Sequence, residues 1–147
     1  MRPSAFLWVS VCTALGSVGV SQAMWQADLQ VQGLTVSEAR GSLTARMRVR
    51  SELGDALAAR VEVLLPVGVG LLETSPGCNA SPNPSGITDL QARVICVLGD
   101  LSARSSREIH VVTTAPPPGV LRSFGVVALS DTPDPRPGNN FAEKAIP

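Results

Sequence analysis

The fold class of this chain is decided by residues 43–50, which read Leu43-Thr44-Ala45-Arg46-Met47-Arg48-Val49-Arg50. Apolar and polar side chains alternate strictly along this stretch. A β-strand places successive side chains on opposite faces of a sheet, so the apolar residues share one face and the polar residues share the other. A helix would distribute the arginines around its axis. The stretch therefore predicts a strand with one buried face and one arginine-lined face directed to solvent.

The same period of two recurs along most of the chain, between turns that contain Gly or Pro. The predicted strands cover residues 28–36, 43–50, 59–65, 69–73, 93–98, 108–114, 121–129 and 141–146. Gly33 interrupts the first of them, which predicts a bend or bulge. Residues 93–98 are apolar nearly throughout, which predicts a strand covered on both faces. Seven or eight short strands without a long helix predict an all-β sandwich.

The first 23 residues predict a secretory signal peptide. Arg2 precedes an uncharged, mostly apolar run, and Ser21 and Ala23 supply small side chains at the −3 and −1 positions of a cleavage site. The alternative is an uncleaved anchor, which needs about 20 apolar residues, and glycines and serines interrupt this run. We expect one mature domain, residues 24–147, that is secreted or periplasmic and carries no transmembrane segment.

Two cysteines, Cys78 and Cys96, remain after removal of the signal peptide. An even number of cysteines in an oxidising compartment predicts a structural disulfide. The alternative is a reactive pair, but such pairs usually lie close in sequence, as in Cys-X-X-Cys. The two cysteines are also too near each other in sequence for the inter-sheet bridge of an antibody domain.

Composition and charge exclude several classes of function. The formal net charge is zero, so the chain lacks the basic footprint of a nucleic-acid-binding protein. His110 is the sole histidine and has no partner at metal-ligand spacing, so we expect neither metal nor cofactor. A hydrolase would have to pair His110 with Ser102, Ser105 or Ser106, and no Gly-x-Ser-x-Gly motif is present. We therefore expect this protein to have no enzymatic activity.

Residues 131–140 form a loop with oxygen-bearing side chains. Asp131, Asp134, Asn139 and Asn140 are of the types that bind calcium. Asp and Asn also close turns by accepting hydrogen bonds from nearby backbone N–H groups. The second interpretation is favoured, and calcium binding stays open.

The arginines of the opening stretch form a basic stripe of Arg46, Arg48 and Arg50. Such a stripe is suited to acidic glycans or phosphate-bearing surface polymers. Alternatively, Glu52, Asp55 or Glu62 neutralises it and the face is simply solvated. An anionic-polymer-binding or carbohydrate-binding module is therefore the second functional hypothesis.

Five segments in order resemble one known family. They are residues 27–31 (Ala-Asp-Leu-Gln-Val), 64–69 (Leu-Leu-Pro-Val-Gly-Val), 75–78 (Ser-Pro-Gly-Cys), 94–101 (Val-Ile-Cys-Val-Leu-Gly-Asp-Leu) and 130–140 (Ser-Asp-Thr-Pro-Asp-Pro-Arg-Pro-Gly-Asn-Asn). Together they resemble the conserved surface-repeat family known as Domain of Unknown Function eleven. The resemblance implies an immunoglobulin-like sandwich on a secreted or surface protein of a prokaryote, without catalysis or a known ligand. We therefore expect a secreted, non-enzymatic module with a binding, adhesion or structural role, whose partner is a protein or glycan of the cell envelope.

Overall fold

The computed structural model describes residues 26–81, 92–119 and 122–146. The signal peptide predicted for residues 1–23 lies outside these ranges. The strands are β1 Leu29–Ala39, β2 Ser42–Ser51, β3 Ala56–Leu64, β4 Leu71–Thr74, β5 Cys78–Ser81, β6 Arg93–Leu101, β7 Ser106–Thr114, β8 Ser123–Leu129 and β9 Phe141–Ala145. Within the described ranges, no helix is long and apolar enough to cross a membrane.

The strands form two antiparallel sheets. One has four strands in the order β1-β2-β7-β4, and the other has five in the order β5-β6-β3-β8-β9. This arrangement confirms the predicted immunoglobulin-like β-sandwich, with nine strands in place of the expected seven or eight. Sequence patterns did not predict β5, because its four residues Cys-Asn-Ala-Ser are too few and too weakly apolar to stand out from the neighbouring loop.

The core lies between the two sheets and is built from alternate residues of each strand. In β2, Leu43, Ala45, Met47 and Val49 are at most 3% exposed, which confirms the face assignment made from residues 43–50. The opposing layer consists mainly of the fully buried Val61, Val63, Val94, Phe124 and Val126. Burial of each larger apolar side chain stabilises the fold by about 1.5–3 kcal/mol.

The predicted bulge in the first strand is present in β1. The register against β2 changes between Gln32, which lies opposite Arg48, and Thr35, which lies opposite Arg46. Gly33 has a φ of 62° within this irregularity, a backbone conformation that glycine adopts without steric cost. The bulge bends β1 next to the arginine stripe.

The prediction that residues 93–98 are covered on both faces is wrong for the described chain. Val94 and Cys96 point into the core and are fully buried, whereas Val97 is 65% exposed. Ile95, which lies on the same side of β6 as Val97, is half-buried. The reason is the two-layer architecture, in which each sheet turns one face to the core and the other away from it.

Candidate functional site on the four-stranded sheet

A shallow groove of about 550 Å³ crosses the outer face of the four-stranded sheet. Its walls come from β1, β2 and β7, and the bulge of β1 opens it on one side. The lining residues are Gln32, Gly33, Arg46, Met47, Arg48, Glu108, Ile109 and His110. Most of these side chains are polar, because alternation directs the apolar residues of β2 and β7 into the core.

The three arginines of the stripe project from this face, as the alternation predicts. Arg48 Nη2 lies 2.6 Å from Glu108 Oε1, its cross-strand neighbour, and Arg50 Nε lies 2.7 Å from Glu52 Oε2. Arg46 is exposed and forms no ion pair with any residue in the described ranges. The groove therefore contains one arginine whose charge is unpaired within this part of the chain.

Of the three acidic residues expected to neutralise the stripe, only one contacts an arginine of the stripe. Glu52 does so, at Arg50. Glu62 lies on β3 of the other sheet and contacts Arg93 at 3.4 Å. Asp55 accepts a hydrogen bond from the backbone N–H of Ala103 at 2.8 Å. The main neutralising residue, Glu108, was missed because its position opposite Arg48 depends on the β2–β7 register.

Glu108 stays ionised in this setting. The hydrogen bond from Arg48 and the positive charges of Arg48 and Arg46 lower the pKa of the Glu108 carboxyl. The groove thus holds a carboxylate next to the unpaired Arg46. This juxtaposition limits how densely charged an anionic ligand can be.

His110 projects from β7 toward the outer face, as predicted, and contacts two residues that sequence reasoning missed. His110 Nε2 lies 3.3 Å from Glu73 Oε1 on β4, and Nδ1 lies 2.9 Å from Ser75 Oγ. Ser75 Oγ also accepts a hydrogen bond from the backbone N–H of His110 at 2.8 Å. The sequence places Glu73 in a predicted edge strand. That position alone does not predict a contact with His110, which lies 37 residues further along the chain.

The Glu73–His110–Ser75 cluster links β4 to β7. Ser75 is only 8% exposed. Its hydroxyl oxygen already contacts both the imidazole and the backbone N–H of His110. In the neutral tautomer that accepts a hydrogen bond from the Ser75 hydroxyl at Nδ1, the ring N–H lies on Nε2 and faces Glu73. These contacts position an edge strand of the sheet.

The serines considered earlier as partners of His110 lie elsewhere. Ser105 Oγ donates a hydrogen bond to the carbonyl oxygen of Ser102 at 2.6 Å, within the β6–β7 connection. Ser106 lies opposite Arg50, whereas His110 lies opposite Arg46. The structure does not bring these serines to the imidazole.

The loop at residues 131–140 is held by one hydrogen bond that closes a local turn and by others that reach the start of β1. The carboxylate of Asp134 accepts from the backbone N–H groups of Leu29, at 2.8 Å, and Arg136, at 2.7 Å. Asp131 lies 3.9 Å from Arg60. Across the ranges 26–81, 92–119 and 122–146, no group of three or more His, Cys, Asp or Glu side chains is arranged to hold a metal ion.

Asp28 connects this loop to the start of β1 and is completely buried. Its carboxylate accepts hydrogen bonds from Asn139 Nδ2 at 2.8 Å, from Gln30 Nε2 at 3.3 Å and from the Arg136 guanidinium. Burial by itself raises the pKa of Asp28. The hydrogen bonds from Asn139 and Gln30 and the charge of Arg136 outweigh it, so the pKa lies below the ordinary value of 3.8.

The predicted disulfide is present between Cys78 on β5 and Cys96 on β6. The two residues lie directly opposite each other in neighbouring strands of the five-stranded sheet. The bridge is therefore within one sheet, in agreement with the prediction that it is no antibody-type inter-sheet bridge. It attaches β5, a four-residue edge strand, to the sheet.

Comparison with known proteins yields similar folds only. No protein-family model matches the chain, and no curated protein matches it. In structure, the chain is similar to the chitin-binding domain of Chi18aC from Streptomyces coelicolor (11% identity, TM-score 0.47, covering 74% of this chain and 95% of that one). It is also similar to ChBD2 from Thermococcus kodakarensis KOD1 (15% identity, TM-score 0.40, covering 69% of this chain and 91% of that one). A third similar structure is an uncharacterized protein from Nocardia farcinica with an immunoglobulin-like fold (14% identity, TM-score 0.44, covering 84% of this chain and 86% of that one).

At these identities and TM-scores, the similarities assign neither ligand nor activity to this chain. The resemblance to Domain of Unknown Function eleven stays a prediction.

Proposed function

We propose that this protein is a secreted, non-enzymatic module, cleaved before Met24, that binds an acidic polysaccharide of the cell envelope in the groove of the four-stranded sheet. The observation that carries the proposal is Arg46. Its guanidinium is exposed in the groove and has no ion-pair partner among the described residues, while Arg48 and Arg50 are both paired. A guanidinium binds a carboxylate with two parallel hydrogen bonds, which gives geometric selectivity as well as affinity.

The neighbouring groups favour a ligand whose charges are widely spaced. Glu108 lies beside Arg46, and Glu73 lies beyond His110. These carboxylates repel a densely charged polyanion but can accept hydrogen bonds from sugar hydroxyl groups. Gln32 adds a neutral amide to the groove wall. In a polymer with one carboxylate per sugar unit, the carboxylate can bind the unpaired arginine, and the sugar hydroxyl groups can donate hydrogen bonds to the carboxylates beside it.

Binding experiments with three polymers distinguish which chemical group of the ligand the groove recognises. Polygalacturonate supplies spaced carboxylates, poly(glycerol phosphate) supplies phosphodiesters, and chitin is a neutral polysaccharide. Chitin is included because two of the structurally similar domains are chitin-binding domains. The proposal predicts tightest binding to polygalacturonate, with an affinity that falls as salt concentration rises.

Changing Arg46→Gln is expected to weaken binding of polygalacturonate about tenfold, which corresponds to about 1.4 kcal/mol and lies at the low end for a charge-assisted hydrogen bond. Isothermal titration calorimetry measures the change. The matched control is Arg107→Gln, which removes the same charge from an exposed position of β7 opposite Val49, outside the groove. Equal losses in both variants, or equal affinity for chitin, would contradict the proposal.

The stripe contributes to binding and little to folding. Replacing Arg46, Arg48 and Arg50 together by serine is expected to lower the melting temperature by only a few degrees, because each exposed charge usually changes stability by less than about 0.5 kcal/mol. Thermal unfolding monitored by circular dichroism gives the value. Loss of the fold in this variant would show that the face is packed against something rather than solvated.

A further inference from the structure

Part of the outer face of the five-stranded sheet is apolar, unlike the outer face of the four-stranded sheet. Strand pairing aligns its outward residues in rows. One row contains Val97, Arg60 and Leu129, and the next contains Ile95, Glu62, Val127 and Phe141. The second row also includes the exposed Asn79 of β5, and apart from it, Arg60 and Glu62 the side chains in these rows are hydrophobic. We call the seven residues other than Asn79 the β3 face.

The apolar residues of the β3 face are accessible to solvent. Val97 is 65% exposed and Phe141 is 50% exposed. Ile95, Val127 and Leu129 are half-buried, and none of the three belongs to the residues packed against the core. An antiparallel sheet with one face in water normally carries polar residues on that face. Apolar side chains grouped on such a face on both sides of a charged pair instead mark a site of protein association.

We propose that two copies of this chain associate through their β3 faces. Arg60 and Glu62 both project from this face, in adjacent rows of β3. A two-fold axis lying across the strands, midway between the rows, places each Arg60 opposite Glu62 of the second copy. The same axis places Val97 opposite Ile95 and Leu129 opposite Val127. Opposite charges and apolar side chains are thus matched by one symmetry operation.

Both charged groups retain capacity for this pairing. Arg60 is 3.9 Å from Asp131, and Glu62 contacts Arg93 at 3.4 Å, which leaves acceptor positions on the Glu62 carboxylate unused. A two-fold axis parallel to the strands would instead place Arg60 opposite Arg60 and Glu62 opposite Glu62. The order of the charges therefore selects the antiparallel arrangement. The apolar residues around them give the second copy a surface to bury.

Charge exchange tests this pairing. Sedimentation equilibrium of the purified mature protein, at concentrations up to about 1 mM, is expected to show a dimer. Arg60→Glu and Glu62→Arg should each raise the dimer dissociation constant at least about tenfold, because each puts like charges in contact. The double variant should restore the dimer, since it exchanges both members of both pairs. Arg104→Glu, in the β6–β7 connection, makes the same charge reversal outside the β3 face and should leave the dimer unchanged.

Thermal unfolding of each variant verifies that the monomer is folded. A chain that is monomeric throughout, a dimer indifferent to both single exchanges, or a dimer that the double exchange does not restore would overturn the proposal. The groove lies on the other sheet, so failure of the dimer would leave the binding of polysaccharide to be judged separately.

Discussion

Replacing Cys78 and Cys96 by serine is expected to lower the melting temperature by roughly 10–20 °C for a domain of this size. The bridge closes a loop of 18 residues, which is worth about 3 kcal/mol in the chain-entropy model. It is also the covalent attachment of β5, which pairs with β6 over four residues at the edge of the sheet. Small domains have only about 5–15 kcal/mol of stability in total. Differential scanning calorimetry of the two proteins measures the effect.

The reducing agent dithiothreitol provides the control for this variant. Reduction should lower the melting temperature of the unmodified protein to that of the double-serine variant, and should leave the variant itself unchanged. Thiol labelling of the native protein should detect no reactive Cys78 or Cys96 before reduction. Two free thiols at these positions in the oxidised, folded protein would contradict the bridge.

Asp28→Asn is expected to destabilise the fold by about 3 kcal/mol, the cost of removing one member of a buried, hydrogen-bonded ionic contact. The amide that replaces the carboxylate keeps one oxygen as an acceptor and directs its N–H groups either at the Asn139 donor or at the donors of Gln30 and Arg136. The start of β1 then loses part of its connection to the 131–140 loop, while the hydrogen bond from the Leu29 N–H to Asp134 remains. Chemical denaturation with urea measures the free energy of unfolding. Asp131→Asn, at an exposed carboxylate with only a 3.9 Å contact, should change it by less than about 1 kcal/mol.

Asp28 also determines part of the response to acid. Its pKa in the folded protein lies below the ordinary value of 3.8, so its contribution to stability is fully present above that value. The contribution is lost as the pH falls from about 4 through the lowered folded pKa. Urea denaturation between pH 7 and pH 2 should therefore show a shallower acid-induced loss of stability in Asp28→Asn than in the unmodified protein. Parallel curves for the two proteins would show that Asp28 does not titrate with a lowered pKa.

The sequence predicts those features that depend on local pattern. Strict alternation from Leu43 to Arg50 assigns both faces of β2, and Gly33 marks the bulge that opens the groove. The two cysteines predict the bridge because only their number and compartment are needed. In the same way, the alternation around His110 predicts its outward direction.

Features that depend on strand register cannot be predicted from local sequence patterns. The unpaired state of Arg46 follows from the position of Glu108 opposite Arg48, which only the β2–β7 register establishes. The contact of His110 with Ser75 joins residues 35 positions apart, and that of Asp28 with Asn139 joins residues 111 apart. The apolar run at residues 93–98 wrongly predicts cover on both faces, because a local pattern does not show that the outward Val97 faces away from a two-layer core.

The groove on the four-stranded sheet is tested most directly by nuclear magnetic resonance. Backbone amide signals of the protein are followed while a short oligogalacturonate is added. The account predicts that the largest shifts cluster on β2 and β7 around Arg46, Arg48 and His110, with a smaller response at the Gln32 bulge. Shifts confined to the five-stranded sheet, or no saturable shifts at all, would contradict an acidic-polysaccharide site in this groove.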